Sequence, residues 1–164
     1  MHPLIERHRV ACDGFARIAE TVTAWDAPTP CTEWDARALV EHVIGFHEVL
    51  ILRPRGVRAH RPREGPAERW RATADALFGA LDEPPDVLPA LTTDVLVHTW
   101  DLARSADTDA HLDEAIVATS ELFEMDRDAG FAGPIVAVPD DADAATKLIA
   151  WYGRNPRWTP PRGG

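Results

Sequence analysis

Lysine is almost missing from this sequence: Lys147 is the one lysine among seventeen basic residues, and the others are arginine. Alongside the abundance of Ala, Pro and Asp, this bias reads as the codon usage of a GC-rich genome rather than as chemistry. Excess positive charge is missing too, because twenty-seven acidic residues leave a formal net charge of −10. That balance argues against nucleic acid or an anionic membrane as partner, although it leaves room for a local basic patch. Cysteine is scarce. Cys12 and Cys31 make neither a disulfide framework nor a C-x-x-C motif. No run approaches the ~20 apolar residues of a membrane span, and the opening Met1 to His8 lacks the apolar stretch of a signal peptide. The expected location is cytoplasmic, with both thiols reduced.

What the sequence does have is helical periodicity, and the stretch Asp94 to Ala103 anchors it. Leu91, Val95, His98 and Leu102 recur at steps of three and four, so on a helix they share one buried stripe. Asp94 precedes His98 by four residues and meets it on that side. A carboxylate and an imidazole aimed into an apolar interior are costly without a partner. A divalent ion satisfies both, since carboxylate oxygen and neutral imidazole nitrogen are ordinary ligands for zinc and its neighbours.

The other helices follow from the same period. Leu4, His8, Ala11, Phe15, Ile18, Val22 and Trp25 predict a first helix from about Leu4 to Trp25. Pro28 and Pro30 end it. Thr32 and Asp35 resemble a capping box and open a second helix from Glu33 to about Leu52, with Leu39, His42, Val43, Phe46 and Leu50 inward. Arg53 to Pro66 reads as a loop. A third helix carries Trp70, Ala74, Leu77 and Leu81, and the central helix ends around Ser105 to Thr108. A fifth runs from Leu112 to about Ala129, with Gly130 as its stop. Gly133 to Pro139 is extended, with room for one short strand at most. A last helix covers Asp141 to Tyr152, and a Pro- and Arg-rich tail follows. The expectation is an all-α helix bundle, a single domain over residues 1–164.

In such bundles metal sites are built from inward side chains on facing helices. His42, Asp94 and His98 are the inward ligand-type residues at mid-helix, and two His with one carboxylate leave a coordination position open. The competing reading is a structural core in which Asp94 pairs with His98 or His42. Cys31 lies eleven residues before His42, ~16 Å along a helix, which reads as a buried structural thiol. His47 points off the His42 face and defaults to the surface; His60 and His111 read as solvated. His8 reads as a core histidine. Asp101 either holds an Arg or backbone group behind the ligands or is a surface carboxylate. The arginines from Arg53 to Arg63 form a solvated loop, or draw in an anionic substrate.

Pro28-Thr29-Pro30-Cys31-Thr32-Glu33-Trp34-Asp35, with Leu39-Val40-Glu41-His42 after it, resembles the opening motif of the DinB/YfiT-like superfamily. These are small metal-binding proteins related to the N-terminal domain of mycothiol-dependent maleylpyruvate isomerase. Val97-His98-Thr99-Trp100-Asp101-Leu102-Ala103 is similar to their V-H-x-W-D-L-A signature, and Phe131 to Ala142 with Leu148 to Trp158 to their C-terminal block. The resemblance implies a DinB-like four-helix bundle with extra C-terminal helices, and His42, Asp94 and His98 as ligands of a divalent metal, zinc first and nickel second. It further implies a mycothiol-type thiol as cosubstrate, with a transferase or isomerase acting on a small molecule. A non-catalytic metal- or ligand-binding module is the alternative. A homodimer is the assembly expected. Two departures stand out: the isomerase has Glu where this chain has Asp94, and its separate C-terminal domain finds no match in these residues, so its substrate is not carried over. Lys147 also stands where many relatives carry Asp-Arg.

Overall fold

The structure is a computed structural model that describes residues 1–120 and 132–161. Its helices are α1 (Pro3–Ala19), α2 (Ala36–His47), α3 (Pro66–Ala80), α4 (Leu88–Ser105), α5 (Glu114–Ala118) and α6 (Ala144–Trp151). Among the described residues there is no strand; Pro28 and Asp35 form one isolated bridge. The fold is all-α and DinB-like, as expected.

Each helix of the bundle buries the stripe its period dictates. Phe15, Leu39, Trp70, Leu77, Leu91, Val95 and Leu102 are all sealed from solvent, each contributing about 1.5–3 kcal/mol of apolar burial. The helices α1, α3, α2 and α4 pack in that order around a ring, with α4 closing against α1. Beyond the ring, α5 packs on α6, and α6 on α4.

Several boundaries differ from expectation for identifiable reasons. Helix α1 stops at Ala19, because Thr21 N–H and hydroxyl both turn back to the Ile18 carbonyl. Val22 and Trp25 therefore pack on the core from outside the helix. Helix α2 starts at Ala36 rather than Glu33. Its cap is Asp35, whose Oδ1 accepts from Ala38 N–H at 2.8 Å. Thr32 does not cap; residues 28–35 instead form a closed turn held by Thr29, whose hydroxyl donates to the Trp34 carbonyl at 2.8 Å and accepts from Cys31 N–H. After His47 the chain stays helical but widens into a π turn over Glu48–Leu52, then tightens over Arg53–Arg55 before Gly56 at φ 69° ends it. The expected fifth helix, from Leu112, starts at Glu114 and ends at Ala118 with Thr119 as its C-cap; Leu122, Phe123, Asp126 and Gly130 lie outside the described residues.

The tail is tied down firmly. Arg104 of α4 donates through Nε and Nη2 to the Trp158 carbonyl, and Val136 N–H donates to Ala150 O at the end of α6. Gly153 follows α6 at φ 86°, and a Cβ there would meet backbone atoms of Gly133 at 2.7–2.9 Å. Both the left-handed conformation and the close approach demand glycine. Gly153→Ala is expected to lower unfolding stability by about 1–3 kcal/mol, read by denaturant titration; an unchanged midpoint would show that the two backbones can part freely.

Candidate metal centre

Three ligand-type side chains converge where α2 faces α4. His42 comes from the middle of α2, and Asp94 and His98 from successive turns of α4. One ligand atom from each lies within 4.8 Å of the others. His98 Nε2 is 3.4 Å from Asp94 Oδ1, and His42 Nε2 is 3.9 Å from the same oxygen. His98 is buried, whereas His42 and Asp94 are part-exposed, so the cluster lies at the edge of the core with a side open to solvent.

Each imidazole is held by a second layer of contacts. His42 packs against two rings, Trp34 and Phe46, each 4.2 Å from it between centroids. Trp34 reaches it because Thr29 ties the 28–35 turn against the start of α2. His98 donates from Nδ1 to Asp101 Oδ2 at 3.0 Å. That leaves its Nε2 as the atom aimed at Asp94. Asp101 is fully buried and also takes Arg154, at 2.8 Å from Nη2 and 3.1–3.2 Å from Nε. A carboxylate behind a ligating histidine is the usual way to fix its tautomer and orientation.

The carboxylates here favour positive charge on the neighbouring imidazole. Burial alone would disfavour charge on His98, but the Asp94 and Asp101 carboxylates outweigh it and raise its pKa to about 9. Burial likewise opposes ionisation of Asp94, yet His98 and His42 hold its carboxyl well below the usual range. Asp94 Oδ2 is nevertheless buried with no hydrogen-bond partner. A carboxylate with one oxygen facing two imidazole nitrogens and the other buried without a partner fits a divalent ion. Without one, a proton on His98 occupies the space between the carboxylates.

The structure departs from the sequence reading at several residues. His47 is not on the surface: it is fully buried, because α2 lies between α3 and α4 and buries a second stripe containing Val40, Val43, Ile44 and His47. Cys31 is not held a helix-length away from His42, since α2 begins only at Ala36. It is half-buried in the turn, where burial and the nearby Asp101, Glu33 and Asp94 outweigh Arg154 and push its thiol up to about 11. It does not belong to the converging set. His8 is a core residue, as expected, while His60 and His111 are exposed. In the Arg53–Arg63 loop, Arg61 pairs with Glu48 rather than with the cluster. Trp34 and Arg154 were missed as site residues. Trp34 sits inside the recognisable opening motif; Arg154 carries no periodic signal at all.

A family model described as the mycothiol maleylpyruvate isomerase N-terminal domain matches residues 8–103. The chain belongs to this DinB-like family. The match takes in His42, Asp94, His98 and Asp101, while Arg154 lies beyond it. Two uncharacterized proteins of Mycobacterium tuberculosis, from strains CDC 1551 and H37Rv, are each 31% identical over 183 residues, covering 96% of this chain and 100% of theirs. No solved structure matches. No helix of the described residues is long and apolar enough to cross a membrane.

For this member of the mycothiol maleylpyruvate isomerase N-terminal domain family, the pairing predicts a specific pH dependence in protein treated with chelator. The folded pKa of His98, about 9, lies above its ordinary 6.5, so its stabilisation is complete below 6.5 and fades as pH rises through 9. The depressed Asp94 adds stability above its ordinary 3.8, lost on acidification. Stability from the pair therefore peaks between about pH 4 and 6.5. By NMR titration His98 should ionise near 9 and drop in Asp94→Asn. A value near 6.5 in both proteins would contradict the pairing.

Proposed function

We propose that His42, Asp94 and His98 hold one divalent ion, zinc first and nickel second, and that the ion serves a low-molecular-weight thiol of the mycothiol type. The reaction class is S-transfer or thiol-assisted isomerisation of a small electrophile. Two imidazole nitrogens converge on Asp94 Oδ1 while Oδ2 of the same carboxylate is buried without a hydrogen-bond partner, and this carries the metal assignment. The family match supplies the thiol class.

The chain's residues define what such a site favours. Two neutral imidazoles and one carboxylate contribute a single negative charge, so a divalent ion keeps one net positive charge. An anionic fourth ligand neutralises it, and a thiolate is such a ligand. When bound, the ion supplies a lowered thiol pKa and hence a thiolate nucleophile near neutral pH. Asp101 keeps His98 Nε2 directed inward, and Arg154 keeps Asp101 ionised. Trp34 and Phe46 both pack against the His42 ring. Cys31 stays a neutral thiol at pH 7, so the reacting sulfur comes from the cosubstrate. Its proton leaves to solvent, and His98 must likewise be unprotonated at Nε2 for the ion to bind.

Protein purified without a His-tag should hold about one divalent ion per chain. His98→Ala should abolish it, and Cys31→Ser should leave it in place with a modest loss of stability. Full occupancy in His98→Ala refutes the ligand set.

Calorimetry with mycothiol and simpler thiols addresses the cosubstrate. Thiol affinity is expected to rise with pH until the bound thiol is ionised, and to fall in acid as protons compete with the ion for its ligands. Metal-loaded protein that binds no thiol at any pH would make it a non-catalytic metal-binding module.

A further inference from the structure

A second group of ligand-type residues lies at the centre of the bundle, separate from the first. His8 and Cys12 on α1 and His47 at the end of α2 place one ligand atom each within 4.8 Å of one another. All three are sealed from solvent, at 0%, 1% and 0% exposure. His47 stands five residues beyond His42 on the same helix, ~7.5 Å along its axis.

The hydrogen bonding of the two rings is unusual for a plain core pair. His47 Nδ1 lies 2.6 Å from the Val43 carbonyl, which can only accept, so that nitrogen carries the hydrogen. His8 Nδ1 lies 2.9 Å from the Thr92 hydroxyl, which donates to the Leu88 carbonyl and so accepts from the ring. Both Nδ1 positions are then donors, and the two Nε2 lone pairs face each other at 3.1 Å. A shared proton would place an imidazolium in the core, and burial pulls the pKa of both rings down. Turning the Thr92 hydroxyl onto His8 Nδ1 would restore a neutral pair, but would leave the Cys12 thiol without a role. A cation uses all three donors. Imidazoles anchored through Nδ1 to oxygen acceptors, with Nε2 free, are the arrangement found at metal sites. Two bonds of ~2.0–2.1 Å from one ion span about the observed separation of the nitrogens.

We propose that His8, Cys12 and His47 form a second, closed metal site that takes a thiophilic cation, best filled by copper(I). Soft thiolate donors select copper(I) and zinc. With Cys12 as thiolate the donor set carries one negative charge, so a monovalent ion leaves the core neutral. The Cys12 proton passes to solvent as the ion enters, and the net charge of the interior does not change. Zinc would leave one positive charge, and among the described residues no fourth His, Cys, Asp or Glu joins the group. With no position open to solvent, the ion's role is to brace α1 against α2, not to meet a substrate. The site does not depend on occupancy of the first.

The test is anaerobic titration of the full chain with copper(I) against bicinchoninic acid, using His42→Ala/His98→Ala to vacate the first site. That variant is expected to hold one copper(I) and to melt at a higher temperature when loaded. Adding Cys12→Ala, or separately His8→Gln, should weaken binding by more than the ~10–100-fold that loss of an outer partner costs, with helicity by circular dichroism intact. Failure of the folded double variant to hold copper(I), or equal retention in Cys12→Ala, overturns the site. A zinc ion lost on Cys12→Ala, with copper(I) not bound, keeps the ligands and overturns the copper assignment.

Discussion

The Asp101 carboxylate is the constraint on which the site depends. It is fully buried, and an isolated carboxylate there would cost several kcal/mol. Two partners offset that cost from different parts of the chain: His98 one turn earlier on the same helix, and Arg154 fifty-three residues later. The first partnership orients the imidazole toward Asp94. The second requires the segment after α6 to return to α4, which Arg104 secures through the Trp158 carbonyl and Gly153 permits by its close approach to Gly133. The C-terminal segment is thereby part of the centre, although the matched family region stops at residue 103.

Much of this was legible in the sequence. The four bundle helices each present a stripe at steps of three and four, and that period alone placed His42, Asp94 and His98 inward on facing elements. What the period could not reach were features set through space. The sequence reads Thr32 as the cap and Asp35 as its partner three residues on, whereas the closed turn through Thr29 makes Asp35 itself the cap. His47 was assigned to the surface on the premise that α2 buries one face, but a helix packed between two others buries more. Cys31 was separated from His42 by helix rise along a helix that had not yet begun. Arg154 is one of several arginines in a Pro- and Arg-rich tail, where no spacing announces a partner fifty-three residues back.

The two imidazole clusters follow one building rule with different outcomes. Each uses histidines from two helices of the bundle, and the outer nitrogen is tied to an oxygen in His98 by Asp101, in His47 by Val43 and in His8 by Thr92, whereas His42 packs on Trp34 and Phe46. The first adds a carboxylate and stays part-exposed, which suits an ion that must accept an incoming ligand. The second adds a thiol and is sealed. Asp94 links them electrostatically, since its charge favours protonation of both His8 and His47 against the dominant effect of burial.

The central claim is that the α2–α4 cluster is a cation site whose geometry is fixed by Asp101. Anomalous diffraction from a crystal of the zinc-loaded protein, collected on either side of the zinc edge, tests it most directly. The account predicts a peak within bonding distance of His42 Nε2, His98 Nε2 and an Asp94 oxygen, with His98 Nδ1 still on Asp101 and Arg154 in place. Zinc elsewhere in the fold, with His98 and Asp94 left paired to each other, would contradict it.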